Sequence, residues 1–136
     1  MSRARKAFSF SPKHGVPPPV GPFSHAVRWG GLLFVTGQMP TDPKTGQLVS
    51  GDITAQAEQV RRNLESVLAQ FGATLEDALM VRVYLTSFDD YDLFNTTYRA
   101  WFQGPLPSRT CVGVSGLALG AKVEIDLIVG LKEETS

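Results

Sequence analysis

The sequence is poor in the residues that much of enzyme chemistry needs. Its single cysteine, Cys111, excludes an intrachain disulfide and fits a reducing, cytoplasmic setting. The two histidines, His14 and His25, make a poor ligand set with one thiol, so no metal is expected. No apolar run approaches the ~18 residues that would span a bilayer, so no membrane partner is expected. Charge of one sign is missing too. The formal net charge is zero, which disfavours a dedicated nucleic-acid binder. No acidic residue precedes Asp42, so Arg3, Arg5 and Lys6 make a basic opening. A transit peptide would look like this, but strand-like and turn-like signals begin at Phe8. Residues 1–9 are therefore read as a flexible basic segment, and 10–136 as one domain.

What is present is an ordinary globular balance, 43% hydrophobic and 19% charged over 136 residues, enough for one real core. Pro12, Pro17, Pro18 and Pro19 make an extended lead-in. Ala26–Trp29, Gly30-Gly31 and Leu32–Thr36 read as a hairpin. Leu32 and Phe34 face one way, Leu33 and Val35 the other, so cover is expected on both sides. Ile53, Ala57, Val60, Leu64, Val67, Leu68 and Phe71 fall on one helical stripe, opened by Asp52 or Thr54 and ended by Gly72. Leu79–Leu85 alternates as a strand. Tyr91, Phe94, Tyr98, Trp101 and Phe102 form the apolar side of a second helix. Val123, Ile125, Leu127 and Val129 share one face of a last strand, and Glu124 and Asp126 the other. Two helices cover only one face of such a sheet. The other face suggests association with copies of the same chain.

The most informative stretch is Gly104–Val114. Pro105 and Pro107 set a rigid entry, and a short strand follows with Arg109 and Cys111 on one face. Arginine's planar fork grips a carboxylate or phosphate through two parallel hydrogen bonds. The alternative is pairing with a structural Asp or Glu. Asn95, one position from Phe94, can face a cleft edge or serve as a surface or helix-capping amide.

Several stretches, taken together, resemble one family. They are Gly21-Pro22-Phe23-Ser24-His25-Ala26-Val27, Thr36-Gly37-Gln38-Met39-Pro40, Asn95-Thr96-Thr97-Tyr98, Pro107-Ser108-Arg109-Thr110-Cys111-Val112 and Lys122-Val123-Glu124-Ile125. Their order and spacing resemble the reactive-intermediate deaminases, the Rid or YjgF-like family, from about Phe10 to Val129. The resemblance implies an α+β fold: a mixed sheet with two helices on one face, similar to bacterial chorismate mutase. It further implies a homotrimer with ligand clefts between subunits. The implied activity is hydrolysis of 2-enamine and 2-imine acids to 2-oxo acids and ammonia, without a cofactor.

Residue by residue, Arg109 matches the arginine that clamps the substrate carboxylate, and Glu124 the acid that holds the attacking water. Cys111 matches a position whose main chain contacts ligand. Thr36 stands where relatives often have serine, beside Gly37, and Asn95 matches a cleft asparagine. Phe23 replaces a common tyrosine, so a ring is kept and a phenol lost. Three other functions stay open at this point: a non-catalytic sensor of small carboxylates, a deaminase of aminomuconate-like acids, and an endoribonuclease or translation inhibitor.

Overall fold

In the computed structural model, which describes residues 4–132, eight principal elements follow the expected order with one addition at the start. They are β1 (Lys6–Phe8), β2 (Ala26–Trp29), β3 (Leu32–Gln38), α1 (Ile53–Ala69), β4 (Ala78–Leu85), α2 (Tyr91–Arg99), β5 (Ser108–Gly113) and β6 (Val123–Gly130). The strands form one six-stranded sheet in the order β1-β2-β3-β6-β4-β5. The β4–β5 pair is parallel and every other pair antiparallel. A parallel pair needs a crossover, and α2 supplies it.

Where the sequence suggested a flexible basic segment over residues 1–9, the described part of it contains the added strand. Lys6–Phe8 pairs with Arg28–Ala26, because Phe8 has an aromatic partner to bury against: its ring meets Phe71 edge-on, with centroids 4.9 Å apart. Residues 1–3 lie outside the described residues.

Period-2 alternation decides the layers. Leu33, Val35, Val81, Val83, Leu85, Val123, Ile125, Leu127 and Val129 are buried beneath the helices. The stripe of α1 read from the sequence is buried against them, and Asp52 caps that helix by accepting from Ala55 N at 3.0 Å. The opposite face lies open in a single chain. Leu32 and Phe34, expected to be covered, stay 38% and 42% exposed. Among the described residues no helix is long and apolar enough to cross a membrane.

A row of buried polar side chains on α1 fixes two strand ends, and periodicity gave no hint of it. Asn63 Nδ2 donates to Met39 O and Thr41 O at 3.0 and 2.9 Å, and Gln59 Nε2 donates to Asn63 Oδ1 at 2.9 Å. Gln56 Oε1 accepts from Lys122 N at 2.9 Å. The exit of β3 and the entry of β6 are therefore tied to one helix by bonds shielded from water, where a lost partner is costly.

Candidate functional site

Glu124 lies on the open face, opposite Tyr84 in the β4–β6 register. Its seat is made by an irregularity in the neighbouring strand. Between Val35 and Gln38 the β3–β6 register shifts, so that Val35 faces Leu127 and Gln38 faces Ile125. Three steps on β3 thus match two on β6, which is a β-bulge at Thr36–Gly37. A bulge re-aims side chains, and here Thr36 and Gly37 both fall between two inward residues. A Cβ built at Gly37 would collide with Glu124 Oε2 and approach its Cδ to 2.8 Å. Gly37 does not have a positive φ. Glycine is therefore present for space: the Glu124 carboxylate lies directly over the main chain of the bulge.

The Thr36 hydroxyl donates to Ser24 O at 2.6 Å, and Thr36 N donates to His25 O at 3.0 Å. Its proton is spent, so its oxygen can only accept from a ligand. These bonds tie the Phe23–Ser24 turn to the bulge, and the Phe23 ring stands 41% exposed there. His25 does not join this group. It is 1% exposed, its Nδ1 accepting from Phe10 N and its Nε2 donating to Pro17 O, both at 2.8 Å. Both ring nitrogens are engaged in anchoring the proline-rich lead-in.

Tyr84 and Asp126 stand near Glu124 on the same face. Asp126 accepts from Arg82 Nε at 2.7 Å and from the Tyr84 hydroxyl at 3.0 Å. Burial pushes the Glu124 carboxyl above its ordinary range, and the charge of Asp126 pushes it further the same way.

Arg109 and Cys111 are elsewhere. In the parallel register they sit opposite Val81 and Val83, both buried beneath the helices, so both point to the helix side at the sheet's outer edge. The Arg109 guanidinium carbon lies over the Tyr98 ring at 4.9 Å, with Phe94 and Tyr91 at 5.8 and 5.9 Å. Among the described residues no carboxylate pairs with it, so the alternative of a structural ion pair finds no partner there. Burial pushes the Cys111 thiol up, with Arg109 pulling less strongly the other way. That keeps the thiol protonated and unsuited to attack. Asn95 shares the α2 face of Tyr91, Phe94 and Tyr98 by helical spacing, and its buried Oδ1 has no partner.

The residues singled out from sequence thus form two groups separated by the sheet. Thr36, Gly37, Glu124 and the Phe23 turn stand on the open face, at the sheet's middle. Arg109, Cys111 and Asn95 stand on the helix side, at its edge. From β6 to β5 is two strand spacings, about 10 Å, and the faces are opposite. Within one chain the fork and the acid do not share a site. The tyrosines beneath Arg109 and the Arg82–Asp126–Tyr84 network were not among the residues singled out. Their sequence signals were ordinary: an aromatic helix stripe, and alternation on two strands.

Three comparisons bear on this arrangement. The family model for endoribonuclease L-PSP matches residues 14–131. A RutC family protein of Pyrococcus horikoshii is 41% identical over 112 residues, 82% of this chain and 89% of the relative. A protein of Dermatophagoides farinae named 2-iminobutanoate/2-iminopropanoate deaminase is 35% identical over 113 residues, covering 83% and 88%. Among solved structures, RidA from an Antarctic Psychrobacter superposes with a TM-score of 0.86 at 32% identity, covering 93% of this chain and 99% of that one.

Proposed function

The chain belongs to the endoribonuclease L-PSP family, the YjgF/RutC/Rid group, and on that premise we propose that it hydrolyses 2-enamine and 2-imine acids to 2-oxo acids and ammonia. One observation carries this reading. A guanidinium without a carboxylate partner among the described residues stands on one face, and a carboxylate seated on a bulge stands on the other. Each is half of what imine hydrolysis needs. They meet only if the Arg109 edge of one copy abuts the open face of another, which the homotrimer implied by the resemblance would allow.

The chemistry asks little of the protein, because a protonated imine carbon is already electrophilic. Arg109 binds the substrate carboxylate through its fork and so fixes the adjacent carbon. Glu124 of the neighbouring copy orients a water and takes one proton as the water oxygen bonds to that carbon. The nitrogen gains that proton; the carbon–nitrogen bond then breaks as the hydroxyl on the same carbon gives its proton to the freed Glu124 carboxylate, so that ammonia leaves and the 2-oxo acid remains. The Thr36 oxygen, able only to accept, suits the substrate's N–H.

The deciding assay is ammonia release from 2-iminopropanoate and 2-iminobutanoate, generated in place and compared with spontaneous hydrolysis. Acceleration supports the reading. Binding of 2-oxobutanoate without acceleration would replace it with a carboxylate sensor. Tight, salt-sensitive RNA binding at physiological ionic strength would favour the ribonuclease instead.

Two predictions follow from the acid's seat. Glu124 must be ionised to act, and its carboxyl is raised by burial and by Asp126. The rate is therefore expected to fall on acidification at a pH above the ordinary carboxylate range. Asp126→Asn should move that limb downward, as a pH–rate profile would show; an unmoved limb would exclude Asp126 as a cause. Gly37→Ala places a methyl where the carboxylate lies. The acid can swing aside on the open face, so stability should change by under about 1 kcal/mol. The displaced carboxylate should cost roughly 10²-fold in kcat. Urea unfolding and turnover separate the two effects.

A further inference from the structure

Arginines that grip ligands are commonly held in place by a second carboxylate. Arg109 is not, among the described residues. The geometry points instead to an aromatic cradle: we propose that Tyr98 is the positioning residue of the Arg109 clamp, its ring holding the guanidinium face so that the N–H edge stays free for a carboxylate ligand. This rests on the reading of Arg109 given above and adds a residue to it.

Three observations converge. The guanidinium carbon stands nearest to Tyr98, at 4.9 Å, with Phe94 and Tyr91 as more distant walls. Tyr98 is itself immobilised. It is 6% exposed and packed against Phe94, Trp101 and Phe102, with ring centroids 5.7, 5.3 and 5.1 Å away. A ring on so firm a base offers a fixed plane. Finally, the cradle uses none of arginine's five donors, because a ring attracts the cation through its face. A carboxylate in the same place would occupy two of them and cancel the charge that the ligand is to meet.

The Tyr98 hydroxyl contributes little to this. It is buried without a partner, and its pKa is pushed up to about 12, chiefly by burial, so it stays neutral beside the cation. Positioning therefore lies with the ring. A guanidinium held in one orientation loses less freedom when a ligand arrives, and that gain appears as affinity.

The test measures 2-oxobutanoate affinity by calorimetry on the whole protein, apart from turnover. Tyr98→Leu is expected to raise Kd about 5- to 30-fold, the range of a desolvated cation–π contact. Tyr98→Phe, which keeps the ring, should restore most of that loss. In the Arg109→Ala background, Tyr98→Leu should weaken binding no further, since the ring then has nothing to hold. Should Tyr98→Leu fail to fold, fluorinated phenylalanines at position 98 keep the shape while draining the ring's negative face, and Kd should rise with each fluorine. Affinity indifferent to fluorination, or a loss in Tyr98→Phe equal to that in Tyr98→Leu, overturns the cradle. Unchanged affinity in Arg109→Ala alone would instead overturn the clamp itself, so the two failures are distinct.

Discussion

Arg109→Ala is expected to lower kcat/KM for 2-iminopropanoate by roughly 10²–10³-fold while leaving the chain folded. The size follows from what is stranded. In a closed cleft the substrate's carboxylate would lose the cation that grips it, a defect of about 3–5 kcal/mol, and that loss appears in full in kcat/KM. The fold should tolerate the change for a reason visible in the structure. Arg109 has ring neighbours and, among the described residues, no carboxylate partner, so its removal orphans no buried charge. The loss to stability is that of the ring contact, about 0.5–2 kcal/mol. Arg109→Lys should also be poor, since an ammonium offers a point charge in place of the fork. Ammonia-linked kinetics beside a thermal melt would decide; near-normal rates in the alanine variant remove Arg109 from the mechanism.

The second large effect is a recovery. Glu124→Gln and Arg109→Ala should each be nearly inactive alone, yet a mixture allowed to exchange subunits should regain about a quarter of the wild-type rate. That fraction is the half chance of an intact fork multiplied by the half chance of an intact acid, if each cleft draws them from different copies. The sheet enforces the separation. Arg109 faces the helix side opposite Val81, and Glu124 faces away opposite Tyr84, so one copy alone cannot assemble both. A mixture that stays inactive after demonstrated exchange would mean that no cleft takes its fork and its acid from different copies.

Much of the fold was legible because alternation and helical spacing are strong signals. The stripe from Ile53 to Phe71 and the inward set from Val123 to Val129 were readable at sight. β1 was not, because three residues beside basic neighbours carry no period; only the Phe8–Phe71 contact, remote in sequence, explains it. The candidate residues were readable one at a time, through resemblance and through the chemistry of arginine and glutamate. Their division between two faces was half written in the sequence. Glu124 visibly opposed the core residues of its own strand, but the face of Arg109 depended on pairing with β4, which no local pattern reports. The seat of Glu124 was hidden for a similar reason. A register shift is a property of two strands together, and Gly37 read alone is only a small residue in a turn-like stretch.

That extra residue in β3 has a consequence for how such a chain can vary. Val35 and Gln38 both point inward, so a version one residue shorter would keep plain in–out alternation and lose nothing that the layers need. It would lose the recess over which the acid lies. Scaffold and recess are thus written in different letters here: one extra residue in the β3–β6 ladder separates a plain strand from one with a berth for a carboxylate.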